Sequence, residues 1–95
     1  MKEEITEIEL SELEEFLKDP EAALVDVRES WEFRDFNIGG INVPAHLLNE
    51  HIHILEGYKK LVIACSNGTR SSILARVFKK KLPEAAIYHL SEGVF

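Results

Sequence analysis

The stretch that decides the fold is residues 61–71, which reads Leu61-Val62-Ile63-Ala64-Cys65-Ser66-Asn67-Gly68-Thr69-Arg70-Ser71. Its first four residues are apolar and predict a buried β-strand. A polar loop follows, and the residues from Ser71 to Leu82 then repeat with a helical period. We expect the inner face of this helix to carry Ile73, Leu74, Val77, Phe78 and Leu82. The stretch therefore predicts a strand–loop–helix unit.

The chain's single cysteine, Cys65, lies at the junction between this strand and this helix. Backbone N–H groups point outward at a helix N-terminus, and the positive end of the helix dipole favours an anion such as a thiolate. A cysteine that only fills a core usually lies inside an element, and a metal site built from several thiolates is impossible with one cysteine. The position therefore favours a nucleophile.

The loop after Cys65 has the composition needed to stabilise a thiolate. Lowering a cysteine pKa by about two units takes about 2.7 kcal/mol, and one helix end supplies about 0.5 to 1 kcal/mol, so several loop N–H groups must contribute. Asn67 and Gly68 tolerate positive φ, which lets successive N–H groups converge. Ser66 and Thr69 add hydroxyl donors. Arg70 has two interpretations of equal weight, since it either binds an anionic donor or pairs with an acid such as Asp26.

Short apolar strands alternate with helices along the rest of the chain. Strands are predicted at 5–8, 22–25 and 86–90, with a short extended piece at 41–44. Predicted helices follow Ser11, which forms a capping box with Glu14, and Ser30, and a third helix spans 45–55. The aromatic residues near the second helix are expected to be core or half-buried: Trp31, Phe33 and Phe36. The pattern predicts an α/β fold with a central parallel sheet of about five short strands and helices on both faces.

Composition excludes several classes of function. The 95-residue chain is 45% hydrophobic and 29% charged, which predicts one globular domain. Its net charge of −6 argues against nucleic-acid binding, and no apolar run is long enough for a membrane span. The acidic start, Met1-Lys2-Glu3-Glu4, does not resemble a signal peptide, and a lone cysteine fits a reducing cytoplasm. The acidic N-terminal third is expected to be a solvated surface rather than a partner-docking site.

Together, four motifs in order resemble the single-domain rhodanese (sulfurtransferase) family. The matching segments are Ala23 to Glu29 with Glu32-Phe33, Ile38 to Pro44, Cys65 to Ser71, and Tyr88-His89-Leu90. The resemblance covers roughly residues 6–95 and implies a rhodanese-like three-layer fold in a single domain over 1–95. Where many relatives continue into another helix this chain stops at Phe95, so that last helix is expected to be missing. Asn37, where relatives often carry histidine, and Glu92-Gly93, in place of Gly-Gly, are further departures.

The family resemblance implies a persulfide cycle on Cys65. The thiolate takes the outer sulfur of a donor such as thiosulfate, releases sulfite, and passes the sulfur to cyanide or a thiol. The persulfide is expected to lie among substrate-binding residues of the loop, with no metal and no cofactor: Ser66, Asn67, Gly68, Thr69, Arg70 and Ser71. Asp26, Arg28 and Glu29 are implied to be structural residues near the loop. The four histidines are expected to have surface or packing roles: His46, His51, His53 and His89.

Two other functions remain open at this point. The first is a rhodanese-like binding or sulfur-relay module that is weak on thiosulfate and acts on a protein thiol partner. The acidic N-terminal third and the shortened C-terminal end are the observations that suggest it. The second is phosphatase or arsenate-reductase chemistry. A phosphatase signature has five residues between its cysteine and arginine, whereas four separate Cys65 from Arg70, so the spacing argues against phosphoryl transfer.

Overall fold

The computed structural model describes residues 5–94 as alternating strands and helices. Glu3, Glu4 and Phe95, which entered the predictions above, lie outside this range. The strands are β1 (Ile5–Ile8), β2 (Ala22–Asp26), β3 (Ile41–Asn42), β4 (Lys60–Ala64) and β5 (Ala86–Leu90). The α-helices are α1 (Leu10–Phe16), α2 (Ser30–Asp35), α3 (Leu48–His51) and α4 (Thr69–Lys81). Two 3-10 turns, Ala45–Leu47 and Ile52–Leu55, flank α3.

The strands form one sheet in the order β1-β5-β4-β2-β3, and every neighbouring pair is parallel. The predicted α/β architecture is therefore confirmed. The central strand β4 lies between β2 and β5, with Val62 opposite Leu24 on one side and Tyr88 on the other. In parallel sheets the carboxyl ends of neighbouring strands lie at one edge, where ligands bind.

Side chains of β4 alternate between two buried clusters, one on each face of the sheet. Leu61, Ile63 and Cys65 belong to the cluster beneath α3 and α4, and Val62 and Ala64 belong to the cluster beneath α1. All five have no exposed surface. A strand buried on both faces must be apolar throughout, which is why the sequence showed a continuous run rather than an alternation. Among residues 5–94, no helix is long and apolar enough to cross a bilayer.

Both predicted serine caps are wrong. The N-cap of α1 is Glu9 and that of α2 is Glu29, so Ser11 and Ser30 lie inside the helices. The reason is a shifted capping box in each case: the Glu12 carboxylate accepts the Glu9 N–H at 2.8 Å, and Glu32 accepts the Glu29 N–H at 2.9 Å. Glu9 and Glu29 therefore take the N-cap position expected for serine, and the acid at the third helical position completes each capping box.

Three other predictions about helices need correction. The predicted helix at 45–55 is divided into three short helical pieces, because its middle contains weak helix formers, among them His51 and Ile52. Helix α4 begins at Thr69 and buries Ser71, Ala75 and Phe78, which turns Ile73 outward to 68% exposure. The expectation of core or half-buried aromatics is also wrong at two positions: Trp31 is 62% exposed and Phe36 is 46% exposed.

A buried ion pair holds the carboxyl end of β2. The Arg28 guanidinium donates to both carboxylate oxygens of Asp26 at 2.8 to 3.1 Å, and Arg28 Nη2 donates to the Phe36 carbonyl at 2.6 Å. The two side chains are 1% and 0% exposed. Arg28 therefore ties the end of β2 to the chain that leaves α2, and this fixes the position of α2 beside the sheet edge.

We expect Arg28→Met to lower the free energy of unfolding by about 3–5 kcal/mol, because it leaves the Asp26 carboxylate buried without its counter-charge. The matched control is Arg34→Met on the exposed face of α2, which should change stability by less than about 0.5 kcal/mol. Urea denaturation followed by circular dichroism measures both. Equal unfolding midpoints for the two variants would contradict the structural role given to the pair.

Candidate active site

Cys65 directly follows β4 at the carboxyl edge of the sheet. The backbone on both sides of this position is held by the neighbouring strands, since the Val27 N–H donates to the Ala64 carbonyl and the Val94 N–H donates to the Cys65 carbonyl, each at 2.9 Å. The cysteine is thus fixed by hydrogen bonds from chain segments that follow β2 and β5. Its side chain points to the α4 side of the sheet, within the same cluster as Ile63.

The sulfur of Cys65 faces hydrogen-bond donors of the loop. The Ser71 N–H donates to Sγ at 3.3 Å. Burial raises the pKa of the Cys65 thiol, but hydrogen bonds from the Ser71 side chain and from the N–H groups of Ser71, Asn67 and Gly68 outweigh it, so the pKa lies below its usual value. The thiolate is therefore favoured by donors that the protein holds in place.

The loop curls because of two residues. Gly68 is the N-cap of α4 and has φ +87°, a conformation that side chains with a Cβ rarely adopt. The Asn67 side-chain oxygen accepts the Thr69 N–H at 3.1 Å, which closes an Asx turn. The Thr69 N–H is thus directed to Asn67, while the donors acting on the sulfur come from Asn67, Gly68 and Ser71.

Arg70 pairs with an acid, but the acid is Glu32 rather than Asp26. Its two terminal nitrogens donate to the Glu32 carboxylate oxygens at 3.1 and 3.2 Å, and Nη2 also lies 3.3 Å from Ser66 Oγ. Asp26 is unavailable because Arg28 occupies it in the core. The side-chain hydrogen bond from Arg70 lowers the pKa of Glu32, although burial acts in the opposite direction. The pair connects α2 to the active-site loop at a half-exposed position.

His89 is the site residue that the sequence reasoning missed. It is 4% exposed, and its two ring nitrogens contact Ser71 Oγ at 2.8 Å and the Glu7 carboxylate at 2.9 and 3.1 Å. The sequence analysis gave it a surface or packing role. The signal that could have found it is the alternation of side chains along a strand. His89 is paired with Ile63 in the sheet, and Ile63 lies two residues before Cys65, so its side chain is on the same face as that of Cys65. That signal requires the β4–β5 register, which the sequence alone does not contain.

The predicted loop residues differ in exposure. Asn67, Thr69 and Arg70 are exposed, whereas Gly68 and Ser71 are buried. Cys65 itself has no exposed surface. A cavity of about 570 Å³ lies elsewhere, at the start of β4 and the end of α4, and Tyr58 and Pro83 are among the residues that line it. Because Cys65 has no exposed surface, a molecule in solvent reaches its sulfur only if a neighbouring segment moves.

The backbone of segment 91–94 lies against the backbone of the loop. A Cβ on Gly68 would lie 2.3 Å from the Ser91 carbonyl oxygen, and a Cβ on Gly93 would lie 2.2 Å from the Ser66 carbonyl oxygen. Both glycines also have positive φ. The two backbones approach each other so closely that glycine is required on each side. Of the Glu92-Gly93 pair, Gly93 is the residue that makes this contact.

Comparisons with known proteins bear on the family and the fold. The family model described as "Rhodanese-like domain" matches residues 9–95. Fourteen chains of solved structures match, while no curated protein does. The reduced CoADR-RHD of Bacillus anthracis is 23% identical with a TM-score of 0.79, covering 94% of this chain and 16% of its own. A rhodanese-related protein of Thermoplasma volcanium is 28% identical with a TM-score of 0.76, covering 93% and 85%. A Rhodopseudomonas palustris protein titled a possible tyrosine phosphatase is 20% identical with a TM-score of 0.77, covering 94% and 76%.

The chain belongs to the rhodanese-like family, within the sulfurtransferase superfamily. The resemblance read from the four motifs is confirmed, and so is the three-layer α/β fold. The chain spans about one sixth of the Bacillus anthracis protein. The structures below 25% identity show the fold only.

We expect Gly93→Ala to destabilise the protein by more than about 1 kcal/mol, because the added methyl group meets the Ser66 carbonyl and the residue is held at positive φ. Gly57→Ala is the matched control, since a Cβ there has no neighbour within 4 Å, and its effect should stay within about 0.5 kcal/mol. Urea unfolding midpoints compare the two. A Gly93→Ala protein as stable as Gly57→Ala would show that the close approach of segment 91–94 to the loop does not hold.

Proposed function

We propose that the protein is a sulfurtransferase that carries sulfane sulfur as a persulfide on Cys65. The observation that supports this most directly is the convergence of Ser71, Asn67 and Gly68 donors on the Cys65 sulfur at the carboxyl edge of the sheet. Such donors stabilise a sulfur anion, which is the form that attacks a sulfur donor and the form that a terminal persulfide sulfur takes.

The proposed cycle has two displacement steps at sulfur. The Cys65 thiolate attacks the outer sulfur of thiosulfate, the sulfur–sulfur bond of the donor breaks, and sulfite leaves with the bonding electron pair. The acceptor, cyanide or a thiolate, then attacks the terminal sulfur and the Cys65 thiolate leaves. No net oxidation of the protein occurs over the cycle, and no metal is required. Loop hydroxyls and N–H groups between Ser66 and Ser71 are the proposed contacts of the bound sulfur.

The position of Arg70 supports sulfur transfer over phosphoryl transfer. Four residues separate it from Cys65, and its guanidinium is turned toward Glu32 and Ser66. A phosphoryl group has three equatorial oxygens that require a ring of donors around the nucleophile. In this structure the guanidinium closes no such ring around Cys65 and lies at the outer, half-exposed side of the loop, where a small anionic donor would arrive.

A second candidate function is supported by a specific observation, the complete burial of Cys65. A sulfur without exposed surface reacts slowly with small molecules unless the loop opens, and a bound partner is one means of opening it. Trp31 is 62% exposed and adjoins Glu32, the residue paired with Arg70, and exposed aromatic residues often anchor protein partners. The alternative is therefore a relay module that receives or delivers sulfur through a protein thiol.

Incubation with thiosulfate followed by intact-mass measurement tests the proposed function. We expect the wild-type protein to gain the mass of one sulfur atom and the nearly isosteric Cys65→Ser variant to gain none. Addition of cyanide should remove the extra mass from the wild type. If thiosulfate adds no mass but a persulfide-carrying protein does, the relay function is favoured; if neither adds mass to the wild type, both functions are wrong.

Charge balance at Arg70 gives a second prediction. Glu32→Gln keeps the acceptor that caps α2 but removes the charge that neutralises Arg70, so an anionic donor should bind more tightly. We expect the KM for thiosulfate to fall about two- to fivefold, in line with the worth of a half-exposed ion pair. Glu14→Gln makes the same charge change on α1, away from the loop, and serves as the control. A KM that is unchanged, or changed equally in both variants, would assign Arg70 a structural role only.

A further inference from the structure

Both ring nitrogens of the buried His89 are hydrogen-bonded. Nδ1 lies 2.9 Å from a Glu7 carboxylate oxygen and Nε2 lies 2.8 Å from Ser71 Oγ. The side chain reaches the site from β5, and Glu7 reaches it from β1, where the two residues are paired in register. Ser71 lies in the first turn of α4 and has no exposed surface. Glu7, His89 and Ser71, from three different elements, thus form one row of hydrogen-bonded polar side chains, which we call the polar row.

The carboxylate determines the tautomer of His89. An ionised carboxylate only accepts hydrogen bonds, so Nδ1 must carry a proton. When the imidazole is neutral, Nε2 is therefore the acceptor and the Ser71 hydroxyl donates to it. When the imidazole is protonated, Nε2–H donates and the Ser71 hydroxyl proton is free to turn toward another acceptor.

That other acceptor is the Cys65 sulfur. The Ser71 N–H donates to Sγ at 3.3 Å, and a hydrogen bond from the Ser71 side chain is among the causes that lower the pKa of the Cys65 thiol. The row is therefore continuous: Cys65, Ser71, His89, Glu7. The groups that face His89 are the Glu7 carboxylate from β1, the Ser71 hydroxyl from α4 and, through Ser71, the Cys65 thiol after β4; its register partner on β4, Ile63, is apolar.

We propose that His89 is a positioning residue that holds the Cys65 proton through Ser71, so that the resting site exchanges between thiol with imidazole and thiolate with imidazolium. In the exchange the Cys65 S–H bond breaks and its electron pair stays on sulfur. Ser71 Oγ takes that proton and passes its own hydroxyl proton to His89 Nε2. No proton enters or leaves the protein, and Glu7 neutralises the imidazolium. The inference rests on the proposed use of Cys65 as a nucleophile.

This arrangement explains why buried polar groups are present under α4. The net charge of the row is the same in both states, so no uncompensated charge appears in the core during the exchange. The Ser71 hydroxyl can donate in either direction, because rotation about its C–O bond lets it serve His89 or the sulfur. The sulfur thereby gains a cationic partner even though no histidine contacts it directly.

The test is titration of the thiolate absorbance of Cys65 in the ultraviolet, with the Cys65→Ser protein as the blank. This probe reads the proton on sulfur and needs neither loop opening nor sulfur transfer. We expect His89→Gln, which can still hydrogen-bond but cannot hold the proton, to shift the thiolate midpoint upward by about one pH unit or more. Glu7→Gln should shift it in the same direction by less. His53→Gln, at an exposed histidine, is the matched control and should leave the midpoint unchanged.

A double-mutant cycle separates this role from simple packing. With Ser71→Ala the link is already broken, so adding His89→Gln should shift the midpoint no further, whereas a packing role would give independent effects. If His89→Gln does not fold, the reciprocal measurement applies: the NMR titration of the His89 ring should move to lower pH in Cys65→Ser than in the wild type, because the thiolate that stabilises the imidazolium is gone.

The inference would be overturned if folded wild-type and His89→Gln proteins had the same thiolate midpoint. It would also be overturned if the midpoint of the His89 ring were the same in Cys65→Ser as in the wild type. The proposed function can fail separately. A protein that takes no sulfur from any donor but shows the His89-dependent titration would keep this proton relay and lose the persulfide cycle. A protein that takes sulfur with a titration independent of His89 would do the reverse.

Discussion

The whole site depends on the insertion of β4 between β2 and β5 in a parallel sheet. This pairing buries β4 on both faces and brings its last residue to the edge where two other strands also end. β2 then contributes the Asp26–Arg28 pair, and β5 contributes His89 and segment 91–94. Because all three strands point the same way, residues far apart in sequence meet around one sulfur.

The two arginine–carboxylate pairs beside the site differ in burial, and their roles differ accordingly. Arg28 and Asp26 are buried in the core, where an ion pair is costly to form but very costly to break. Arg70 and Glu32 are 42% and 19% exposed, where an ion pair is weak and can exchange partners. The buried pair therefore holds the end of β2 in place, and the half-exposed pair contributes less to stability.

The Cys65 sulfur is held between opposing effects. Burial among Ile63 and its neighbours favours the neutral thiol, while the loop donors favour the thiolate, and the donors prevail. The same burial protects the sulfur from solvent and oxidants. The loop and segment 91–94 are held together by close backbone contacts at Gly68 and Gly93. Chemistry and access are governed by different parts of the structure.

The sequence by itself determined the order of elements, the central strand, the loop and the family, because a fully buried strand, a glycine turn and a helical period are local signals. Predictions from the sequence were wrong where contacts with other elements determine the outcome. The predicted serine caps were wrong because Glu9 and Glu29 form capping boxes with Glu12 and Glu32. Trp31, Phe36 and Ile73 were assigned inward although α2 and α4 turn them to solvent. The partner of Arg70 and the link from His89 to Cys65 depend on strand order and register, which put Glu7, Ser71 and His89 together across 82 residues of chain. Only the tertiary structure decides such contacts, since no local spacing encodes which strands become neighbours.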